Sequence, residues 1–70
     1  MPDTLSGRVA ANLRGELARR NLTHEEFADR AVTSRQAITN RCLGRTPISL
    51  DELELYAELL EIEPSKLLND

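Results

Sequence analysis

The chain has 70 residues, 40% of them hydrophobic, a length that supports one small domain (1–70) and excludes a second domain or a large enzyme core. Its single cysteine excludes an intramolecular disulfide, and one histidine beside it makes no metal-ligand set, so we expect no metal and no cofactor. No apolar run approaches the ~20 residues that span a bilayer, and the first eight residues lack a signal-peptide pattern, so we expect a cytoplasmic protein without a membrane partner.

The formal net charge of −3 is distributed unevenly along the chain. Residues 4–46 contain eight arginines against four acidic residues, a net charge of +4. Residues 47–70 contain one lysine against seven acidic residues, a net charge of −6. Because charges in physiological salt are felt only over a Debye length of ~8 Å, this asymmetry predicts a basic working face and an acidic back.

The first predicted helix covers residues 7–20, because apolar side chains repeat every four residues there. Its inward stripe is predicted to be Leu5, Val9, Ala10, Leu13, Leu17 and Ala18. Asp3, Thr4 and Ser6 are candidate N-caps, and Asn21 can end the helix in a left-handed conformation.

The second and third predicted helices are separated by a short break. Thr23 and Glu26 have the spacing of a capping box, so the second helix begins at His24. The β-branched pair Val32 and Thr33 ends it, because such side chains lose rotamer freedom in a helix. Ser34 then caps a third helix over residues 34–43, which Gly44 can stop. The inward residues of these two helices are Phe27, Ala28, Ala31, Ala37, Ile38 and Cys42.

The last third of the chain predicts one longer helix and one short one. Ser49 and Glu52 form a second capping box, and the fourth helix is predicted to bury Leu50, Leu53, Ala57 and Leu60. Leu55 and Leu59, beside Tyr56, form either a second core face, which we favour, or a dimer patch. Pro64 suits the first position of a last helical turn, in which Leu67 and Leu68 close the core. The fold class is therefore all-α, a compact bundle of four to five short helices with a central helix-turn-helix.

Residues 22–53 resemble the helix-turn-helix domains of the lambda-repressor, Cro and Xre type. The resemblance rests on the run Leu-Thr-His-Glu-Glu-Phe-Ala at 22–28, on Ser34, Arg35, Ile38 and Gly44, and on Arg-Thr-Pro-Ile-Ser-Leu-Asp-Glu-Leu at 45–53. The chain departs from the family at Val32, where glycine is common. It also has Leu17 and Cys42 where many members pair an arginine with a glutamate. A hydrophobic contact in place of that ion pair is compatible with stability.

The resemblance implies a sequence-specific regulator of transcription that binds double-stranded DNA, such as a phage Cro-like repressor or a small autoregulator. Its third helix, 34–43, would enter the major groove. Arg35 and Gln36 are the first candidates for base contacts, because arginine pairs with guanine and glutamine with adenine, and Thr39 and Asn40 follow one turn on. The candidates for phosphate contacts are Thr23, His24, Ser34, Arg41, Arg45 and Thr46. Arg14, Arg19 and Arg20 are expected to be plain surface charge.

Two alternatives remain open at the level of sequence. The same fold could dock a protein partner through its acidic C-terminal half, as an antitoxin or anti-regulator would. A homodimer through the C-terminal helices and a monomer are both compatible with the pattern. An enzyme is not expected, because no nucleophile motif or phosphate loop is present and Cys42 has the position of a core residue. We likewise expect no small-molecule substrate.

Overall fold

The computed structural model describes residues 4–69, and these form five α-helices without a β-strand. The prediction of an all-α bundle is confirmed. In chain order the helices are α1 (Leu5–Arg19), α2 (His24–Ala31), α3 (Arg35–Cys42), α4 (Leu50–Leu60) and α5 (Ser65–Leu68).

Hydroxyl side chains cap the N-termini of helices α1 to α4. Thr4 is the cap of α1, because its Oγ1 accepts a hydrogen bond from the Gly7 amide at 3.0 Å. This helix therefore begins at Leu5, two residues before the predicted start, while the candidate Asp3 lies outside the described residues. Both predicted capping boxes are present, at the start of α2 and of α4. These caps satisfy amides that have no partner within the helix, so local sequence fixes where the helices start.

Left-handed residues close the ends of α1 to α4. They are Asn21, Val32, Gly44 and Glu61, with φ between 55° and 77°. In each case the next residue donates its backbone amide to the carbonyl five positions earlier, at 2.9–3.0 Å. This is the hydrogen bond of the Schellman motif, which satisfies a carbonyl at the helix end. Asn21 and Gly44 thus end their helices as predicted.

The hydrophobic core takes side chains from all five described helices. Its buried members are Val9, Ala10, Leu13, Leu17, Phe27, Ala28, Ile38, Cys42, Leu53, Tyr56, Ala57, Leu60 and Leu67. The predicted inward positions Leu5 and Leu50 are wrong, since they are 54% and 79% exposed. Each is the first residue of its helix, and helical side chains lean toward the N-terminus, so these two project past the end of the bundle. Ala18 is also exposed.

Tyr56 belongs to the core and packs edge-to-face on Phe27, with ring centroids 5.2 Å apart and an angle of 65° between the planes. Burial raises the pKa of its hydroxyl. The two neighbouring leucines differ: Leu59 packs against the core as favoured above, whereas Leu55 remains 39% exposed. The pair is therefore neither a complete core face nor a complete surface patch.

Helix α3 is supported from two sides. It packs extensively against α2 and also against α1, while α4 packs on α2 and α5. The buried residues Ile38 and Cys42 attach α3 to the core, which leaves its opposite side open. None of the helices in residues 4–69 is long and apolar enough to cross a membrane.

Candidate DNA-binding surface

The outward side of α3 carries the four residues predicted to contact bases. The helix begins after Ser34, whose Oγ accepts a hydrogen bond from the Ala37 amide at 3.1 Å. Arg35 and Gln36 are exposed in the first turn, and Thr39 and Asn40 are half-buried one turn later. Two of these residues are joined, because Gln36 Nε2 donates to Asn40 Oδ1 at 3.1 Å. The structure thus gathers all four on one helix face, and the two amide side chains together keep groups that can donate and groups that can accept.

A shallow depression between α2 and α3 brings together residues that were predicted separately. It is lined by Thr23, His24, Glu25, Arg35 and Thr39. Within it, His24 Nδ1 lies 2.8 Å from Thr39 Oγ1, a hydrogen-bond distance. A predicted phosphate contact on α2 is therefore linked directly to a predicted base contact on α3.

The hydroxyls of Thr23 and Ser34 serve as the N-caps of α2 and α3. Thr23 Oγ1 accepts from the Glu26 amide at 3.0 Å, and the Thr23 amide donates to the Glu26 carboxylate at 2.9 Å. The hydrogen bond from the Thr23 amide, with one from the Thr23 hydroxyl, holds the pKa of Glu26 below its usual range. Because a hydroxyl has one donor besides its lone pairs, the Ser34 cap can still donate its O–H to an anion outside the helix.

Arg41 faces away from this arrangement and toward α4. Its guanidinium forms an ion pair with Glu52 at 2.7 Å and donates to the Ala37 carbonyl at 3.0 Å, with 20% of the side chain exposed. The hydrogen bond to Glu52 raises the pKa of Arg41, and the same bond lowers the pKa of Glu52. The charge of Arg41 is thus engaged between α3 and α4, in a pair that no local spacing in the sequence indicates.

The loop after α3 holds the remaining two predicted phosphate contacts. Arg45 is exposed and Thr46 is half-buried. Their backbone amides donate to the Asn40 carbonyl at 2.9 and 3.3 Å, so the loop is tied to the end of α3. Gly44 permits this path, because its φ of +77° is unfavourable for residues with a Cβ.

The comparison with known families agrees with this geometry. Residues 13–67, most of the chain, match the family model described as helix-turn-helix. The chain belongs to this family. It is a DNA-binding helix-turn-helix protein of the lambda-repressor, Cro and Xre type. No curated protein and no solved structure gave a significant match.

Within this helix-turn-helix protein, two of the departures from the family pattern are accommodated in the core. Leu17 is 2% exposed and Cys42 0%, and both belong to the same hydrophobic cluster. Burial raises the pKa of the Cys42 thiol, which keeps it neutral and apolar in character. Residues 4–69 contain no group of three or more side chains that could hold a metal ion.

Arg14 of α1 and Arg20, which follows that helix, are not the plain surface charges that the sequence predicted, because each donates to a carbonyl at the end of another helix. Arg14 donates from its guanidinium to the carbonyl of Cys42, the last residue of α3. Arg20 donates to the Leu60 carbonyl at the end of α4, at 3.0 Å. A cation at a helix C-terminus satisfies a free carbonyl and complements the helix dipole. No local spacing indicates these contacts, because the partners are 28 and 40 residues apart.

Proposed function

We propose that this helix-turn-helix protein is a sequence-specific regulator of transcription, acting as a repressor, that binds duplex DNA with α3 in the major groove. The observation that supports this most is the outward face of α3. It presents Arg35, Gln36, Thr39 and Asn40 together, on a helix fixed to the core by Ile38 and Cys42. A rigid helix with donors and acceptors on its free face has the shape and chemistry for base edges in that groove.

The base contacts follow from the donor and acceptor patterns of the side chains. Arg35 can donate two hydrogen bonds to guanine O6 and N7, and Gln36 can pair with adenine N6 and N7. Both are exposed in the first turn of α3, the part of a recognition helix that approaches bases most closely. Thr39 and Asn40 would add contacts one turn further into the groove.

The phosphate contacts would flank these residues on both sides. Thr23, His24 and Ser34 lie at the starts of α2 and α3, where helix dipoles favour an anion. Arg45 and Thr46 lie beyond the other end of α3. Because the Arg41 guanidinium is paired with Glu52, we assign Arg41 to positioning α3 and expect its contribution to phosphate binding to be electrostatic.

Repression would follow from occupancy. A protein seated in the major groove over a promoter excludes other proteins from the same surface, and no catalytic step is required. The acidic last third of the chain would face away from the DNA, as its net charge of −6 over residues 47–70 favours.

Selection of bound duplexes from a randomised pool, followed by sequencing, tests this proposal. We expect enrichment of a defined motif, with a palindrome if the protein binds as a homodimer and a single short site if it binds as a monomer. Absence of any enriched motif would contradict the proposal. It would favour the alternative of a protein-binding module, for which the acidic depression lined by Asp51, Glu54, Leu55 and Glu58 is the place to search.

A further inference from the structure

The hydrogen bond between His24 and Thr39 joins the first residue of α2 to the second turn of α3. The two atoms, Nδ1 and Oγ1, are 2.8 Å apart and partly buried. Within residues 4–69, no side chain or backbone group is hydrogen-bonded to the opposite ring nitrogen, Nε2. His24 is only half-buried, so this second nitrogen is available to a partner from outside the protein.

Either partner can be the donor in this hydrogen bond. A neutral imidazole has one N–H donor and one acceptor nitrogen, and a hydroxyl has one donor proton. If Nε2 carries the ring proton, Nδ1 accepts the O–H of Thr39, and Thr39 Oγ1 offers only lone pairs to a base. If Nδ1 carries the proton, it donates to Oγ1, and the hydroxyl proton is free to seek an acceptor on a base.

We propose that His24 is a positioning residue that fixes the hydrogen-bond direction of Thr39 and thereby the base that Thr39 selects. The inference rests on the proposed function, in which Thr39 lies at the base edges. A phosphate has acceptor oxygens only, so an Nε2 that donates to a DNA phosphate must carry the ring proton. In the neutral ring Nδ1 is then unprotonated and accepts from Thr39, so Thr39 Oγ1 can only accept; in an imidazolium both nitrogens would donate, and Thr39 would keep its own proton for a base.

The consequence is a restricted choice of base on the DNA strand that Thr39 contacts. In the major groove, hydrogen-bond donors belong to the exocyclic amino groups, adenine N6 and cytosine N4, whereas guanine presents only acceptors and thymine one acceptor and a methyl group. A Thr39 held as an acceptor therefore selects adenine or cytosine at its position. The phosphate contact of His24 thereby produces a preference for adenine or cytosine at the position that Thr39 contacts.

Among the four proposed base-contacting residues, Thr39 is the one whose direction depends on a neighbour. Arg35 can only donate, whatever surrounds it. Gln36 and Asn40 are hydrogen-bonded to each other, and each amide keeps both a donor and an acceptor group for DNA. Thr39 has a single proton, and the contact with His24 decides where that proton lies.

Binding to a complete set of duplexes tests the inference. Each position of the selected motif is replaced by all four base pairs, and affinities are measured for the wild type and for Thr39→Val, His24→Phe and His24→Gln. Thr39→Val keeps the side-chain shape and identifies the position that Thr39 contacts. There we expect the wild type to prefer adenine or cytosine by about two- to tenfold, the range of a single hydrogen bond.

The variants at His24 distinguish an effect on the base preference of Thr39 from an equal loss of affinity for all duplexes. His24→Phe lowers affinity for every duplex through the lost phosphate contact, and it also abolishes the preference at the Thr39 position, because the hydroxyl can then donate or accept. His24→Gln restores the preference, since its amide oxygen accepts from Thr39 while its NH₂ donates to the phosphate. In a Thr39→Val background, His24→Phe no longer changes any base preference.

The ring nitrogens of His24 give a second readout that needs no variant. Long-range ¹H–¹⁵N correlation spectra of the wild-type complex distinguish a protonated from an unprotonated Nδ1. We expect an unprotonated Nδ1 in the complex. A protonated Nδ1, or a His24→Phe variant that keeps its preference at the Thr39 position, would overturn the inference and leave the proposed function standing. A wild type that enriches no motif overturns both.

Discussion

At the scale of single residues, Val32 is the clearest conflict between side chain and backbone. It ends α2 with φ 55° and ψ 52°, and it is 91% exposed. A β-branched side chain is strained in this left-handed conformation, and here no burial compensates for the strain. The Schellman motif nevertheless needs a left-handed residue at this position. The valine that stands where the family commonly has glycine is therefore strained by the backbone conformation that the motif requires.

Replacing Val32 with glycine is therefore expected to stabilise the protein by about 1 kcal/mol. For a domain of this size such a gain corresponds to a rise in melting temperature of roughly 4–8 °C, which thermal unfolding measures. Thr33→Gly is the matched control, because Thr33 is exposed in the same turn without a positive φ. There the added chain entropy is expected to lower stability. Equal shifts in the two variants would contradict the strain argument.

Arg35 and Arg45 are two exposed arginines to which we assign different roles. Arg35→Ala is expected to cost about 1–3 kcal/mol of binding to the selected motif and to relax the preference at one base position. Arg45→Ala is expected to weaken binding to all duplexes alike, because a phosphate carries no sequence information. Affinities for the motif and for single-position variants measure both effects. If the two substitutions reduced all affinities equally, α3 would not be the recognition helix.

At the scale of elements, α3 is held at its C-terminal half by two distant side chains. Arg14 of α1 donates to the Cys42 carbonyl, and Glu52 of α4 pairs with Arg41. Neither contact touches the outward face of the helix, so both can fix its orientation without occupying the side chains that we propose contact bases. The position of α3 thus depends on α1 and α4 as well as on the turn before it.

Removing the Arg14 contact is expected to loosen α3. Arg14→Met keeps an unbranched stem but leaves the Cys42 carbonyl without its donor, which we expect to lower stability by about 1 kcal/mol. Arg19→Met removes the same charge from the same helix, but it breaks only the pair with Glu16, in which the arginine side chain is 66% exposed, an interaction worth roughly 0–1 kcal/mol. Denaturant unfolding compares the two variants. Similar losses would show that charge alone, and not the cap on α3, accounts for the effect of Arg14.

The Arg41–Glu52 pair predicts a dependence of stability on pH. The hydrogen bond from Arg41 chiefly, with the Ser49 amide, holds the pKa of Glu52 below its usual range, against the opposing effect of partial burial. Since the pKa is lower in the folded state, the stabilisation is complete above the unfolded-state value of about 4.3 and is lost as the pH falls through the folded-state value.

Glu52→Gln tests this dependence, because glutamine still completes the capping box of α4 but carries no charge. We expect the variant to be less stable than the wild type at pH 7, by about 1 kcal/mol, and the difference to shrink below about pH 4. Glu54→Gln, an exposed glutamate on the same helix, serves as the control. A difference for Glu52→Gln that stayed constant from pH 7 to pH 3 would contradict the ion-pair argument.

Prediction from the sequence succeeded where the signal was local. The capping boxes at Thr23 and Ser49 and the left-handed Asn21 depend on residues three to five positions apart, and all are present. Prediction failed where the exposure of a side chain, or its hydrogen-bond partner, depends on where the bundle ends or on another helix. The exposure of Leu50 follows from where the core ends, and the contacts of Arg14 join residues far apart in the chain. The face of α3 was predictable from its residue types, whereas the bond between His24 and Thr39 was not.

At the scale of the whole molecule, a net charge of −3 and a role in binding DNA are compatible because binding depends on local contacts. The slope of log affinity against log salt counts the cations released from the DNA, at roughly 0.9 for each phosphate that the protein neutralises. Acidic residues that do not touch the DNA leave this count unchanged. The slope therefore measures the basic face and not the total charge.

We accordingly expect affinity for duplex DNA to fall steeply with salt, and the slope to decrease by roughly 0.9 in Arg45→Ala. Glu58→Gln, which removes a charge from the acidic half, is the matched control: it raises the net charge, but we expect it to leave the slope unchanged. Titrations at several salt concentrations measure all three proteins. If Glu58→Gln changed the slope as much as Arg45→Ala does, the overall charge would govern binding. The separation of charge into a basic working face and an acidic back would then not explain how the protein binds DNA.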